Sequence, residues 1–102
     1  MHPYFSLQGR TALVTGGTRG IGKMIAKAYV EAGATVYVCA RDVEACRQTA
    51  DELGALGRCH AVAANLATEE GVQQLATRLG EQMTHLDILV NNAGTTWGAP
   101  LE

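Results

Sequence analysis

Glycines at a fixed spacing, placed directly after an apolar run, are the residues of this chain best suited to chemistry. The apolar run is Thr11-Ala12-Leu13-Val14, and it is followed by Thr15-Gly16-Gly17-Thr18-Arg19-Gly20-Ile21-Gly22. Because glycine has no Cβ atom, the backbone there can turn tightly and approach a ligand closely. A helical pattern begins at Gly20, and the first N–H groups of a helix lie at the positive end of its dipole. A strand, a glycine turn and a helix in this order bind the pyrophosphate of a dinucleotide.

A second polar motif makes this interpretation more specific. Asn91-Asn92-Ala93-Gly94 also follows an apolar run, about 75 residues after the first motif. The glycine spacing is G-x-x-x-G-x-G rather than G-x-G-x-x-G, and alone it is weak evidence, since a plain strand-to-helix turn also produces it. The residues predicted to surround the phosphates are Gly16, Thr18, Arg19, Gly20, Ile21 and Gly22.

The composition excludes several classes of protein. The chain has 102 residues, a formal net charge of −2 and 47% hydrophobic residues, which suits one small globular domain. Because the chain has no basic stripe, neither a nucleic acid nor a membrane surface is expected as a partner. No apolar run is long enough for a transmembrane helix, and the N-terminus lacks the pattern of a signal peptide.

The cysteines and histidines show no pattern of a metal site. Cys39, Cys46 and Cys59 form no C-x-x-C pair and are odd in number, so neither a zinc site nor a disulfide framework is expected. Packing roles for the thiols and a reducing, cytoplasmic location fit best. The histidines, His2, His60 and His85, are scattered along the chain.

Strand and helix patterns alternate along the chain. Strands are predicted at 11–15, 35–39, 59–63 and 86–90, and helices at 20–32, at 43–53 and after Thr68, the last without a clear end. Asp42 and Thr68 are predicted N-caps, and Gly33 is predicted to end the first helix. The inner faces predicted for the three helices are Ile21, Ile25, Ala28 and Ala32; Cys46, Ala50 and Leu53; and Val72, Leu75, Leu79 and Met83.

This alternation predicts an α/β fold with a doubly wound parallel sheet, because each helix then forms a right-handed crossover. The predicted strand order is 3-2-1-4, in three α/β/α layers. A crevice forms where the order reverses, between the C-terminal ends of the first and fourth strands. Both polar motifs lie at that crevice, and their shared position is the main argument for a nucleotide site.

The end of the second strand predicts which dinucleotide binds. A fold that binds NAD usually has an acidic residue there, which binds the ribose 2′-OH. This chain has Ala40, which leaves room for a phosphate, followed by Arg41. A guanidinium group can make a bidentate contact with a 2′-phosphate, so NADP(H) is the predicted cofactor, with Arg19 flanking the same phosphate. Two alternatives remain open: Arg41 as an ordinary solvated side chain, and Asp42 as the NAD-type acid displaced by one residue.

These motifs resemble those of the short-chain dehydrogenase/reductase family, whose members have the Rossmann fold. Residues 15–22 are similar to the family's cofactor turn, and Asp87-Ile88-Leu89-Val90 with 91–94 is similar to its second motif. On residues 2–7 and 39–42, NADPH-dependent 3-oxoacyl-(acyl-carrier-protein) reductases of the rhamnolipid-pathway type look most similar. The resemblance implies reduction of a carbonyl on a small-molecule or carrier-bound substrate, by an enzyme that is a homodimer or homotetramer when complete.

The resemblance also implies roles for residues after the third and fourth strands. Asn65, just before Leu66, stands where many members have an Asp that meets the adenine amino group. An Asn can accept the same hydrogen bond through its amide oxygen. Asn91 fits a structural role in holding the fourth strand. The nicotinamide-ribose side would be lined by Asn92, Ala93 and Gly94.

One part of the family's pattern is missing from this chain. The catalytic Ser, the Tyr-x-x-x-Lys pair and a later Asn follow the second motif in the family, and none of Tyr4, Tyr29 and Tyr37 has a Lys four residues on. No catalytic residue is therefore predicted, and residues 1–102 are expected to be the N-terminal part of a single dinucleotide-binding domain. Two alternatives stay open: a regulatory module that binds NADP without chemistry, and an epimerase or dehydratase, although those more often have Gly-x-x-Gly-x-x-Gly turns.

Overall fold

Seven elements alternate between strand and helix along the chain. A computed structural model of the protein describes residues 6–92. The strands are β1 (Thr11–Thr15), β2 (Thr35–Ala40), β3 (Arg58–Ala63) and β4 (Ile88–Asn91). The helices are α1 (Gly20–Glu31), α2 (Val43–Gly54) and α3 (Glu69–Gln82). The predicted alternation is confirmed, with β1 as predicted and no other predicted bound displaced by more than two residues.

All four strands are parallel, and their order across the sheet is β3-β2-β1-β4, as predicted. Leu13 of β1 lies beside Tyr37 of β2 and Leu89 of β4. On the other side of β2, Thr35 is paired with Arg58 of β3. Because parallel strands end at the same edge of a sheet, the segments that follow the four strands come together there.

Two apolar clusters on opposite faces of the sheet define the three layers. One cluster joins the sheet to α1 and α2 and includes Val14, Val36, Val38, Ala26, Val30 and Leu53. The other joins the sheet to α3 and includes Leu13, Tyr37, Cys39, Val62 and Leu75. Since β1 and the middle of β2 are buried on both faces, their sequences are continuously apolar rather than alternating.

The helix ends follow the predicted capping residues. The Asp42 carboxylate accepts hydrogen bonds from two N–H groups in the first turn of α2, at 2.9 and 3.2 Å. The Thr68 hydroxyl accepts one from the N–H of Gly71 at 3.0 Å. Gly33 follows α1 with a φ of +102°, a left-handed conformation that glycine adopts without steric cost. None of the helices in residues 6–92 has the length and apolar character needed to cross a membrane.

The buried face of α1 differs from the predicted one. Gly22, Ala26 and Val30 face the sheet, whereas the predicted Ile21 is 67% exposed and Ala28 is also exposed. Both stripes are apolar and have helical spacing, so the sequence pattern did not distinguish them. Of the four residues predicted for this face, Ile25 is partly buried and Ala32 is fully buried.

The inner face of α2 is centred one residue earlier than predicted. Cys46 and Leu53 are buried as predicted, but the residue between them on that face is Thr49, and Ala50 is only half-buried. Thr49 is 1% exposed. Its hydroxyl lies 3.5 Å from the carbonyl oxygen of Thr18, to which it donates, so this polar side chain can be buried because it has a hydrogen-bond partner.

The first turn of α3 also differs from the prediction. Leu75 is buried, and Leu79 and Met83 pack against the same cluster, as predicted. Val72, however, is 44% exposed, because Gly71 takes the inward position in that turn. The prediction placed Val72 on the inner face because glycine gives no hydrophobic signal.

At the N-terminal edge of the sheet, Asp87 joins β4 to β1. Its carboxylate accepts a hydrogen bond from the N–H of Thr11 at 2.8 Å, and its own N–H donates to the Thr11 carbonyl at 2.9 Å. Arg10 and His85 lie 3.7 and 3.1 Å from the two carboxylate oxygens. Because the Asp87 side chain already pairs with Thr11, the regular strand begins at Ile88, two residues later than predicted.

All three cysteines are free, buried thiols, as predicted. Burial raises the pKa of Cys39 and Cys59 from the ordinary value of 9.0 to about 11, with a smaller contribution from Cys46 at Cys39. Burial also raises the pKa of Cys46, although a backbone hydrogen bond at Ala40 opposes the shift. Within residues 6–92, no group of His, Cys, Asp and Glu side chains could hold a metal ion.

We expect the three thiols to resist alkylation at pH 8 in the folded protein. With a pKa of about 11, the thiols of Cys39 and Cys59 are ionised in about one molecule in 1,000 at that pH, and the thiolate is the reactive form. The pKa of Cys46 is also raised by burial. Since the folded-state pKa lies above the ordinary value, burial of the thiols stabilises the fold below about pH 9 and loses that effect as the pH rises towards 11.

Iodoacetamide labelling followed by mass spectrometry measures this reactivity, with the protein in denaturant as the control. The denatured chain should take up three labels quickly while the folded chain takes up almost none. Fast labelling of Cys39 or Cys59 in the folded chain would contradict the burial described above.

Candidate functional site

A cleft of about 900 Å³ opens at the C-terminal edge of the sheet, where the order of the strands reverses. Most of the predicted site residues line it: Gly16, Thr18, Arg19, Gly20, Ile21, Arg41, Asn65, Leu66 and Asn92. Gly22 is buried in α1 beneath the cleft rather than on its wall. Ala93 and Gly94, also predicted site residues, lie outside the described part of the chain. The sheet therefore brings together two motifs that are far apart in the sequence.

The glycine turn between β1 and α1 has a backbone conformation that favours glycine. Gly16 and Gly20 have φ of +67° and +60°, a left-handed region that costs other residues roughly 1–2 kcal/mol. The N–H of Gly16 donates to the Cys39 carbonyl at 2.7 Å, so the turn begins beside the end of β2. A Cβ atom at Gly17 would lie 2.8 Å from Cγ1 of Val38, so this glycine allows the turn to pack on β2.

The N-terminus of α1 differs from those of α2 and α3. Arg19, its N-cap, makes no capping hydrogen bond through its side chain, and the first turn holds no acidic residue. The other two helices have side-chain caps, Asp42 and Thr68, and acidic residues in their first turns. The positive end of the α1 dipole is therefore left for another partner at the cleft, which suits an anionic group.

The close approach of α1 to the end of β4 depends on Gly22. A Cβ atom on Gly22 would lie 2.1 Å from the carbonyl oxygen of Gly16 and 2.6 Å from Nδ2 of Asn92. The same Asn92 Nδ2 donates to the Gly16 carbonyl at 3.5 Å. Any side chain at Gly22 would have to push the glycine turn away from the second motif, so Gly22 sets the distance between them.

Thr15 joins the two motifs directly. Its hydroxyl accepts a hydrogen bond from the N–H of Asn92 at 2.9 Å. The hydroxyl proton can go to Oδ1 of Asn91 at 3.1 Å or to the Val90 carbonyl at 3.3 Å. The contact with Thr15 supports the structural role expected for Asn91. Thr15 was not among the predicted site residues, although a hydroxyl residue at the end of an apolar strand was a usable signal.

Two arginines give the β2 side of the cleft its charge. Arg19 from the glycine turn and Arg41 after β2 are both exposed and both line the cleft, with Ala40 beside them. Within residues 6–92, the four ion pairs involve other basic side chains, so neither arginine is neutralised by a carboxylate. Two free guanidinium groups next to a small side chain suit a phosphate dianion.

Asp42 also lines the cleft, so its hydrogen bonds show whether its carboxylate is free to bind a ligand. One carboxylate oxygen, Oδ1, accepts both N–H groups at the start of α2. A helix N-terminus stabilises a carboxylate in this position. Asp42 thus has the role of N-cap that was predicted for it, and Arg41 is left as the charged group at the end of β2.

The segment of residues 65–68, which we name the Asn65 loop, forms the β3 side of the cleft. Oδ1 of Asn65 accepts a hydrogen bond from the N–H of Ala67 at 3.0 Å. An amide oxygen has a second lone pair, so this bond still allows the predicted hydrogen bond from an adenine amino group. The N–H of Ala64, just before the loop, donates to the Ala40 carbonyl at 3.0 Å. Sequence reasoning missed small lining residues that carry no chemical signal, namely Ala45, Ala64 and Ala67.

The sequence of this chain is similar to those of known proteins. The family model described as short chain dehydrogenase matches residues 10–102. A rhamnolipids biosynthesis 3-oxoacyl-(acyl-carrier-protein) reductase of Pseudomonas aeruginosa is 64% identical over 102 residues, which are 100% of this chain and 40% of that protein. A 3-oxoacyl-(acyl-carrier-protein) reductase of Aquifex aeolicus is 40% identical over 92 residues, 88% of this chain and 37% of that protein.

Solved structures show the same similarity. The RhlG/NADP active-site complex of Pseudomonas aeruginosa has a TM-score of 0.88 and 63% identity, over 93% of this chain and 38% of that one. The L-sorbose reductase of Gluconobacter frateurii, solved with NADPH and L-sorbose, has a TM-score of 0.83 and 36% identity, over 88% of this chain and 35% of that one. The chain thus spans about two fifths of the length of these relatives.

We expect Gly22→Ala to separate the glycine turn from β4 and to destabilise the fold. The new methyl group would meet a backbone carbonyl and the Asn92 side chain at 2.1 and 2.6 Å, and overpacking of this kind costs about 1–3 kcal/mol. Urea unfolding followed by circular dichroism measures the loss.

The matched control is Gly54→Ala, because a Cβ atom there would meet its nearest neighbour at an ordinary 4.0 Å. Alanine also forms helices better than glycine, so the control should be neutral or slightly more stable. Equal stability of the two variants would show that Gly22 does not set the spacing.

Proposed function

The chain belongs to the short-chain dehydrogenase family, and from that membership we propose that it binds NADP(H) as part of a reductase. In this proposal, residues 1–102 form the N-terminal part of a single dinucleotide-binding domain, and the protein reduces a carbonyl to a hydroxyl. The observation that carries the cofactor assignment is the pair of unneutralised arginines, Arg19 and Arg41, beside Ala40 at the cleft.

The 2′-phosphate fits the β2 side of the cleft. Ala40 leaves space where an acidic side chain would repel a phosphate, and Arg41 follows it immediately. Arg19, in the glycine turn, lines the same cleft. Asp42, the only carboxylate among the lining residues that the structure describes, already accepts two hydrogen bonds from α2. Charge and space at this wall therefore favour NADP(H) over NAD(H).

The pyrophosphate fits the glycine turn. Gly16 and Gly20 line the cleft with a positive φ and carry no side chain that would fill it, and the N-terminus of α1 has no side-chain cap. A Cβ atom at Gly20 would meet no protein atom within 4 Å. The space beside Gly20 is therefore open to a ligand, and backbone strain rather than a clash within the protein opposes a side chain there.

The adenine fits between the ends of β2 and β3. The Asn65 loop supplies Leu66 as an apolar surface and the Asn65 amide oxygen as an acceptor for the base. Asn92 lines the opposite end of the cleft, beside the glycine turn. That end suits the nicotinamide side, to which the resemblance also assigns Ala93 and Gly94.

The cofactor supplies the hydride for carbonyl reduction, and the residues of this chain bind and orient it. None of the described residues is proposed as the proton donor. Tyr37 is 4% exposed, and its hydroxyl donates to the Gln82 carbonyl on the face of the sheet that packs on α3. The proton donor is therefore assigned to a part of the protein outside residues 6–92.

The substrate class follows from the relatives. Those from Pseudomonas aeruginosa and Aquifex aeolicus are named as reductases of 3-oxoacyl groups on acyl carrier protein, and we assign the same substrate class to this protein. We also propose a homodimeric or homotetrameric enzyme, and a cytoplasmic one, since its three cysteines are free thiols.

Consumption of NADPH with a 3-oxoacyl thioester tests the reaction. The complete protein should oxidise NADPH only when the thioester is present, with NADH as a poor substitute. Tight NADPH binding without turnover on 3-oxoacyl, steroid or sugar carbonyls would instead support a regulatory module.

Arg41→Ala tests the cofactor assignment. The loss of a charge-assisted contact costs about 1.5–3 kcal/mol, so NADPH binding should weaken roughly 10- to 150-fold. NADH binding should change little because NADH has no 2′-phosphate. Fluorescence titration of both cofactors measures the two dissociation constants.

The control is Arg47→Ala, an exposed arginine of α2 that pairs with Glu44 and does not line the cleft. It should leave both dissociation constants unchanged. Equal losses of NADPH and NADH in Arg41→Ala would remove Arg41 from the 2′-phosphate site.

A further inference from the structure

Gly71, in the first turn of α3, lies closer to the Asn65 loop than a residue with a Cβ atom could with the backbone unchanged. An ideal Cβ atom on Gly71 would stand 1.8 Å from the carbonyl oxygen of Asn65 and 2.7 Å from its carbonyl carbon. Both neighbours are backbone atoms, which cannot rotate away as the end of a flexible side chain can. Gly71 is buried in this contact, although it does not itself line the cleft.

A relay of hydrogen bonds crosses the same contact. The N–H of Gly71 donates to the Thr68 hydroxyl at 3.0 Å, and that hydroxyl donates to the Asn65 carbonyl at 3.2 Å. The Thr68 N–H points to the same carbonyl at 3.4 Å. The start of α3 and the Asn65 loop are therefore held together as one unit.

The other end of the loop is held by the sheet. Ala64 N–H donates to the carbonyl of Ala40, the residue before Arg41. The contact of Gly71 falls on the carbonyl of Asn65, the first residue of the loop, so a larger residue at Gly71 presses directly on the loop. Because Asn65, Leu66 and Ala67 all line the cleft, a displacement of the loop changes the cleft wall.

We infer that Gly71 is a positioning residue for the adenine end of the dinucleotide, acting through the Asn65 loop. This inference rests on the proposed NADP(H) function. Gly71 makes no contact with the ligand in this account; it allows α3 to approach the loop and so fixes where the Asn65 amide and the Leu66 side chain stand. Because adenine is common to NADPH and NADH, Gly71 acts equally on both.

Gly71→Ala and Gly80→Ala form a matched pair in one helix. A Cβ atom at Gly80 would meet nothing within 4 Å, so both variants gain the same helix propensity and only the first is obstructed. We expect Gly71→Ala to weaken NADPH, NADH and 2′,5′-ADP binding on the order of tenfold, the effect of losing one well-formed hydrogen bond. Gly80→Ala should bind all three as the unsubstituted protein does.

The ratio of NADPH to NADH affinity separates this role from that of Arg41. Gly71→Ala should leave the ratio unchanged, whereas loss of the 2′-phosphate contact lowers it. Equal affinities of Gly71→Ala and Gly80→Ala for 2′,5′-ADP would overturn the inference while leaving the NADP(H) assignment intact. Failure of the unsubstituted protein to bind NADPH would overturn both.

Substitutions at Thr68 test the same contact without adding an atom at Gly71. Thr68→Ser keeps the hydroxyl relay and should bind 2′,5′-ADP normally, whereas Thr68→Val removes the relay and should bind it more weakly. Circular dichroism checks that α3 is retained. If Gly71→Ala does not fold, equal binding by Thr68→Ser and Thr68→Val overturns the inference.

Discussion

The contact between the glycine turn and the end of β4 is the constraint on which the rest of the cleft depends. Gly22 brings α1 against the Gly16 carbonyl, and Asn92 reaches the same carbonyl from β4. The Thr15 hydroxyl closes the contact by accepting from the Asn92 N–H. The end of β1 at Thr15 and the start of β4 at Ile88 are 73 residues apart in the sequence. This contact therefore brings two distant motifs together on one surface.

The distribution of polar partners then determines where an anion can bind. The helices α2 and α3 satisfy their N-termini with Asp42 and Thr68, whereas α1 has no side-chain cap. Within residues 6–92, the only acidic side chain on the cleft wall is engaged in capping, and the two arginines of the wall have no carboxylate partner. Positive potential is thus concentrated at the glycine turn and at the end of β2, the two places where a dinucleotide that carries a 2′-phosphate has its charge.

Much of the fold could be predicted because local signals agreed with the global arrangement. Strand β1, the caps Asp42 and Thr68, and the strand order followed from apolar runs, capping chemistry and the handedness of crossovers. The prediction of the inner face of α1 was wrong because two apolar stripes on this helix have the same spacing. The close packing of Gly22 determines which of the two stripes faces the sheet. A hydrophobic pattern gives glycine no weight, although glycine makes the closest contacts.

The site was predictable where residues carry charge or a motif and not where they act through shape. Arg41, Asn65 and the glycine turn have chemical signals in the sequence. Gly71 does not, because its role depends on atoms of another segment that only the folded chain brings near. The Thr15 hydroxyl at the end of an apolar strand indicates a polar contact, but the sequence does not identify its partner. The predicted start of β4 was wrong for a related reason. The Asp87 carboxylate accepts the hydrogen bond from the Thr11 N–H that a backbone carbonyl of a longer strand would otherwise accept, and β4 begins at Ile88.

The central claim is that the edge of the sheet formed by the glycine turn, the end of β2 and the Asn65 loop binds NADP(H). Titration of the ¹⁵N-labelled protein with NADP⁺, followed by amide NMR shifts, tests it most directly. Saturable shifts should appear at 16–22, 40–42 and 64–67 and be absent around Arg10, His85 and Asp87 at the opposite edge of the sheet. Shifts that are largest at the Asp87 edge, or no saturable shifts at the cleft, would contradict the account.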